Sequence, residues 1–191
     1  MMSLDSTLEA YENLGTPDGR FSDLTGDYLF TEVLDYINVN RPILEIGSGK
    51  GHSSLLLLSG GRTETPTLTS IERDSDNIDD LQSIKNIFGD RFNYHICSSE
   101  DYDIDNDSNK NNYQLVVIDG VVSTLQHDLE LARSTSADAI WLLNTQDDSS
   151  IDGIAENFYD NSGFFYERNL RMFVSHGDSD RRMVNTTLML R

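Results

Sequence analysis

The chain has 191 residues, 37% of them hydrophobic, which is enough for one domain with a substantial core. Its 33 acidic and 14 basic side chains give a net charge of −19, and such a field repels nucleic acid and anionic membranes. No run approaches the ~18 apolar residues of a membrane helix, and a single cysteine, Cys97, excludes an internal disulfide or a cysteine-based zinc site. We therefore expect one cytoplasmic domain over 1–191, without a nucleic-acid or membrane partner.

Apolar spacing divides the first half of the chain into alternating helices and strands. An irregular N-terminal segment, 1–23, precedes a helix at 23–38, where Leu29, Val33 and Ile37 recur at helical spacing. Short apolar runs predict buried parallel strands, whereas amphipathic or leucine-rich stretches predict helices. In chain order these are a strand at 41–47, a helix at 52–59, a strand at 67–72, a helix at 74–89 and a strand at 92–97.

The second half continues this alternation after a polar surface loop at 99–112. The predicted elements are strands at 113–120 and 138–144, helices at 124–134 and 150–161, and final strands at 164–170 and 183–191. The final two strands have only a polar turn, 176–182, between them and therefore predict a hairpin. The sequence predicts a Rossmann-like three-layer α/β sandwich with a mostly parallel, seven-stranded sheet and an antiparallel C-terminal strand.

The loop after the first predicted strand, 45–53, contains the glycines of a ligand-binding turn. A phosphate loop for ATP would need glycine at Leu44 and serine or threonine at Gly51, so that pattern fails at two defining positions. The dinucleotide pattern G-x-G-x-x-G would place its third glycine on His52, where close packing needs a small residue. NAD binding stays open as an alternative.

The pattern that fits this loop is an acid followed by three alternate glycines: Glu45, Gly47, Gly49 and Gly51. Glycines let the backbone turn sharply near a ligand, and the amides that open the next helix can hold a carboxylate. Glu72 ends the next strand, where a carboxylate can accept both hydroxyls of a ribose. A nucleoside with a small charged extension and no phosphate, such as S-adenosylmethionine (SAM), has the matching shape.

Longer stretches of the chain resemble a known family. "GDYLFTEVLDYINVNRPILEIGSGKGHSSLLL" followed by "LTSIERD" is similar to the start of class I SAM-dependent methyltransferases, in particular their small O-methyltransferase-like branch. The resemblance covers 24–145 and continues through "CSSEDY", "YQLVVIDG", "DLELA" and "AIWLLN". It implies SAM as cofactor and methylation of a small-molecule or sugar acceptor, at oxygen.

The resemblance also implies roles for individual residues. Glu45 would orient the glycine loop, Glu72 would hold the ribose, and Asp119, after the fourth predicted strand, would lie near the transferred methyl group as the catalytic residue. Together with the glycine pattern, it gives the expected cofactor-binding residues as Glu45, Gly47, Gly49, Gly51, Ser53, Glu72, Ser99 and Glu100.

The resemblance fails at the metal ligands of cation-dependent relatives. Those relatives carry Asp-Asn or His-Asp after the fifth strand, where this chain has Asn144 and Thr145, and Val121 and Val122 occupy positions where polar residues are common. We therefore expect no divalent metal. A non-catalytic SAM-binding or interaction protein on the same fold and an NAD-dependent oxidoreductase stay open as alternatives, and the oligomeric state is not determined.

The excess of aspartate raises the hypothesis of adaptation to high salt. Aspartate outnumbers glutamate 23 to 10, and arginine outnumbers lysine 11 to 3. Because salt screens repulsion among surface charges, we expect the melting temperature to rise when KCl is increased from low to molar concentration. A thermal melt at each concentration measures this. A melting temperature that does not rise indicates instead an ordinary acidic protein with a well-hydrated surface.

Overall fold

The computed structural model describes residues 25–59, 66–143, 163–176 and 180–191, together with Ile154 and Phe158. Its helices are α1 (Thr25–Ile37), α2 (His52–Ser59), α3 (Ile78–Phe88) and α4 (Leu125–Ser134). Its strands are β1 (Ile43–Ile46), β2 (Leu68–Glu72), β3 (Phe92–Ile96), β4 (Leu115–Ile118), β5 (Ala139–Leu142), β6 (Phe165–His176) and β7 (Asp180–Leu190). None of the helices in these ranges is long and apolar enough to cross a membrane.

The strands of the described chain form one sheet of seven strands, in the order β3-β2-β1-β4-β5-β7-β6. β1 is central and parallel to both neighbours, so that Ile43 lies opposite Leu68 on one side and Leu115 on the other. β7 runs antiparallel to β5 and to β6. The chain order reverses between β1 and β4, and in open α/β sheets ligands bind at the carboxyl ends of the strands beside such a switch point.

Two apolar cores cover the two faces of this sheet. Side chains alternate along each strand, so Leu115 belongs to the first core and Val116 to the second. The first core lies under α1, α2 and α3, and the second lies under α4. Trp141 is fully buried in the first core with its ring centroid 4.8 Å from that of Phe30, so it is a core residue.

The predicted fold is confirmed as a mixed, mostly parallel α/β sheet with an antiparallel C-terminal strand. α2 has the bounds that the sequence predicts, and α3 begins a turn late because a 3₁₀ turn, Ser75–Asn77, precedes it. The irregular segment predicted at 1–23 lies outside the described residues. So does the helix predicted at 150–161, except for Ile154 and Phe158, which are helical.

The C-terminal hairpin is longer than predicted. β6 and β7 pair from Phe165 opposite Leu190 to His176 opposite Asp180, so both ends of the turn predicted at 176–182 are strand. The prediction was wrong because it relied on local polarity. Apart from one register shift between Tyr166 and Arg168, a ladder of backbone hydrogen bonds joins the two strands. Such a ladder satisfies polar and apolar residues alike, and the partner strand is set by the tertiary structure.

Two isoleucines of α3 test which face of this helix contributes to the core. Ile84 is 1% exposed and Ile87 is 44% exposed. Because Ile84→Ala leaves a cavity in the first core, we expect it to lower the free energy of unfolding by about 2–4 kcal/mol. Ile87→Ala is the matched control, with an expected change within about 0.5 kcal/mol. Urea unfolding followed by circular dichroism measures both, and equal losses would contradict this packing.

Candidate cofactor site

A cavity of about 460 Å³ opens at the carboxyl ends of β1, β2, β3 and β4. This volume is within the range of about 300–1,000 Å³ that is usual for small-molecule sites. The predicted site residues that line it are Gly47, Gly49, Ser53, Glu72, Ser99, Glu100 and Asp119. The fold therefore brings together residues that lie up to 72 positions apart in the chain, from Gly47 to Asp119. The two other predicted residues, Glu45 and Gly51, are not part of the cavity lining.

At both ends of the glycine loop, the backbone has a conformation that only glycine adopts without strain. Gly47 and Gly51 have φ angles of 88° and 91°, in the left-handed region. A Cβ on Gly47 would lie 2.7 Å from the carbonyl oxygen of Asp119, and one on Gly51 would lie 2.1 Å from Cδ1 of Ile84. Gly47 thus lets the loop approach the end of β4, and Gly51 packs against α3 behind the cavity.

Glu45 supports this loop from inside the protein. Its side chain is fully buried, and its carboxylate accepts hydrogen bonds from Ser53 Oγ at 2.5 Å, from Ser70 Oγ at 3.0 Å and from Ser54 Oγ. These contacts join β1 to β2 and to the first turn of α2. Burial raises the pKa of Glu45, and the three serine hydroxyls oppose that rise.

Glu72 connects the end of β2 to the glycine loop. Its Oε2 accepts the N–H of Gly49 at 2.6 Å, and its Oε1 accepts the N–H of Asp74 at 2.7 Å. The side chain is 6% exposed, and it lines the cavity. Because each carboxylate oxygen has further acceptor capacity, the group can also accept a pair of ligand hydroxyls.

Ser99 and Glu100 form the opposite wall, in a 3₁₀ turn that follows β3, Ser99–Asp101. Ser99 is 7% exposed and its Oγ donates to Asp128 Oδ1 at 2.5 Å, whereas Glu100 is exposed at the rim. Among the predicted contacts in this wall, Glu100 therefore has the freer side chain.

Sequence reasoning did not identify Asp128, a fully buried carboxylate that also lines the cavity. A signal was present, because Asp128 lies on the same helical face as the buried Leu125, Leu129 and Ala132. A charged residue on a buried helix face needs partners that satisfy it, and these come from other elements. That rule would have indicated Asp128 as a candidate site residue.

Ser48, in the glycine loop, is a second residue that the sequence did not indicate. It lines the cavity and is 5% exposed. Its Oγ has no hydrogen-bond partner in the structure, as far as the described ranges extend. A buried hydroxyl is normally paired, so Ser48 leaves one hydrogen-bonding position of the loop unmet beside the cavity.

The architecture of the chain is shared with other proteins of known structure. No protein-family model matches the chain, and no curated protein matches it by sequence. The solved structures that are similar to it over 98% of its length include the following three. The Bacillus cereus O-methyltransferase in complex with S-adenosylhomocysteine (SAH) has a TM-score of 0.72 at 18% identity over 90% of that protein. An SAH-bound Podospora anserina methyltransferase has a TM-score of 0.72 at 14% identity over 88% of its chain.

The third structure, a proposed RNA methyltransferase from Pyrococcus horikoshii, has a TM-score of 0.67 at 13% identity over 99% of its chain. These TM-scores show that all three share the overall fold of this protein. The chain has the class I methyltransferase fold. The resemblance read from the sequence motifs is thus confirmed at the level of the fold.

Within this methyltransferase fold, Asp119 follows β4 directly beside the glycine loop. Its N–H donates to the carbonyl oxygen of Ile46 at 2.8 Å, and its side chain is half-buried in the cavity wall. His127 follows Asp119 by eight residues in the sequence, but it contacts Ser99. Its Nε2 is 3.1 Å from the carbonyl oxygen of Ser99, so its ring contacts the wall formed by Ser99 and Glu100.

The expectation that this protein binds no divalent metal rests on its sequence. Across the described ranges, no group of three or more His, Cys, Asp or Glu residues is arranged to hold a metal ion. The positions that would decide the matter, Asn144 and Thr145, lie outside those ranges. The expectation of a metal-independent protein is therefore still a prediction.

Glu45→Gln tests the burial of a carboxyl in the central strand. Burial favours the neutral form of Glu45 in the folded state. The contribution of Glu45 to the free energy of unfolding therefore falls as pH rises from its ordinary pKa of 4.5 to its raised pKa in the folded state. Above the raised pKa this contribution is constant. Glu45→Gln lacks this group. We expect the stability of the native protein relative to Glu45→Gln to fall over this window.

Urea unfolding of both proteins at intervals between about pH 5 and 9 measures the difference. Glu130→Gln, which makes the same chemical change at a carboxyl on the surface, is the control. A constant difference between the native protein and Glu45→Gln across the range would contradict the raised pKa.

Proposed function

We propose that this chain is a SAM-dependent methyltransferase that acts on a small-molecule or sugar acceptor, at oxygen. The observation that carries the proposal is the contact between Glu72 and the N–H of Gly49 at the edge of the cavity. It brings Glu72, the acid that we assign to the ribose, against the glycine loop. The SAH complexes of two proteins with the same fold support the choice of cofactor.

The residues present fit SAM by their chemistry. Glu72 can accept the two ribose hydroxyls, and the unpartnered Oγ of Ser48 can meet the charged methionine end. The close approach of Gly47 to Asp119 leaves no room for a side chain between the loop and the end of β4. Ser99 and Glu100 would border the adenine.

SAM would supply an activated methyl group, which an acceptor oxygen takes by in-line displacement as the carbon–sulfur bond breaks. The role of the protein is to position the acceptor and to take up its proton. Of the two carboxylates that line the cavity after β4, Asp128 already holds two hydroxyls, so we assign Asp119 as the proton acceptor. Neutral SAH and the methylated product would then be released.

The charge of the chain supports a small-molecule acceptor over a nucleic acid. One protein of the same fold is described as a proposed RNA methyltransferase. This chain, however, has a net charge of −19, and RNA binding depends on neutralising phosphates with basic side chains.

Calorimetry tests the cofactor. We expect SAM and SAH to bind in high-salt buffer, and NAD and ATP not to bind. Because Glu72→Ala removes the ribose acceptor and the anchor of Gly49, we expect it to weaken SAH binding by about 10–100-fold. Asp79→Ala, which removes an exposed acid from α3, is the matched control and should leave the affinity unchanged.

Other outcomes of this titration have distinct meanings. Binding of NAD alone would overturn the proposal, and an unchanged affinity of Glu72→Ala would refute the ribose assignment. Binding of SAM without turnover across a panel of alcohol, phenol and sugar acceptors would favour a non-catalytic SAM-binding protein.

A further inference from the structure

Asp128 is a buried acid whose partners all lie in the walls of the cavity. It is on the first turn of α4, and its side chain has 0% exposure. Its Oδ1 accepts the hydroxyl of Ser99 at 2.5 Å, and its Oδ2 accepts the hydroxyl of Thr124 at 3.0 Å. Both oxygens of the carboxylate are therefore used to hold other residues.

Ser99 is held by α4 at two of its atoms. Asp128 accepts the hydroxyl, while Nε2 of His127 lies 3.1 Å from the carbonyl oxygen. Consecutive residues of one helix thus fix both the side chain and the backbone of Ser99. Such a double contact restrains the rotation of the residue as well as its position, so the 3₁₀ turn Ser99–Asp101 depends on α4 for its orientation.

The segment after β4 is shaped around the same carboxylate. A Cβ on Gly120 would lie 2.8 Å from Oδ2 of Asp128, which is closer than a carbon atom can approach this oxygen. Thr124 donates to the same oxygen. Asp128 therefore connects the turn after β3 with the segment that follows Asp119, and the glycine at position 120 makes room for it.

The charges around Asp128 are compatible with this role. Burial raises the pKa of Asp128, whereas the hydroxyls of Ser99 and Thr124 and the nearby His127 lower it, and Glu100 raises it further. Acceptance of two hydroxyl hydrogen bonds, one at each oxygen, satisfies the carboxylate form of the group. Its function in the fold is then to orient hydroxyl groups rather than to exchange a proton with a ligand.

We propose that Asp128 is a positioning residue for the cofactor, which acts through Ser99 to hold the adenine wall of the cavity. This inference rests on the proposed function, because it assumes that the wall formed by Ser99 and Glu100 borders the adenine. It adds a residue that neither the motifs nor the fold comparison assigns.

A double-mutant cycle on SAH affinity tests the proposal. We expect Asp128→Ala and Ser99→Ala each to weaken SAH binding by about tenfold, which corresponds to about 1.4 kcal/mol. Because Asp128 acts through Ser99, the double variant should bind about as weakly as Asp128→Ala alone. A role confined to the stability of α4 would make the losses multiply, to about 100-fold.

Asp128→Asn separates the hydrogen bond from the charge. Its amide oxygen can still accept the hydroxyl of Ser99, so we expect SAH affinity within about threefold of the native protein. If Asp128→Ala does not fold, the cycle is run with Asp128→Leu, which fills the buried position but offers Ser99 no acceptor, and Ser99→Ala. Glu130→Ala, which removes an exposed acid from the same helix, is the control and should leave the affinity unchanged.

The outcomes distinguish this inference from the proposed function. If the native protein does not bind SAH, the proposed function fails. If the native protein binds SAH and the Asp128 variants bind equally well, or if the two losses multiply, the positioning role is overturned. A loss in Asp128→Asn as large as that in Asp128→Ala also overturns it, because the hydrogen bond would then not be the cause.

Discussion

A buried carboxylate in the central strand is the interaction on which the site depends. Glu45 lies in the middle of β1 and accepts three hydroxyl groups, from β2 and from the first turn of α2. The helix can therefore start only where its serines reach Glu45. This constraint determines where the glycine loop turns, and Gly47 and Gly51 allow the backbone to meet it. The cavity is the space that this arrangement leaves beyond the carboxyl ends of the strands.

The same principle recurs on each side of the cavity. Glu72 and Asp128 are buried acids, with 6% and 0% exposure, and each uses both of its oxygens to hold neighbouring segments. The donors are backbone amides and hydroxyls. In the described ranges the ion pairs, such as Arg133 with Glu130, lie on the surface. In a chain with 33 acids and 14 basic residues, the buried acids Glu45, Glu72 and Asp128 are thus satisfied by neutral donors.

Most of the fold could be predicted from the sequence because its signals are local. Alternating apolar runs indicate the parallel strands, and the stretch HSSLLLLS indicates a buried α2. The glycine loop and Glu72 could be recognised because they are defined by spacing along the chain. The hairpin of β6 and β7 could not be predicted in full. The polar residues at its turn end, such as His176 and Asp180, are strand because they pair with each other across the hairpin, and local polarity does not reveal this pairing.

The sequence by itself determined the order of the elements, and it indicated the glycine pattern, Glu45 and Glu72 by their spacing and Asp119 by a family resemblance. Only the tertiary structure decided which of these acids are buried and what they hold. Asp128 shows the reason: its partner Ser99 is 29 positions away, and the two meet because parallel strands end at one edge of the sheet. The burial of Asp128 and its hydrogen bond both depend on this contact with Ser99. The apolar periodicity of α4 shows only that Asp128 lies on a buried helix face, and it does not reveal the partner.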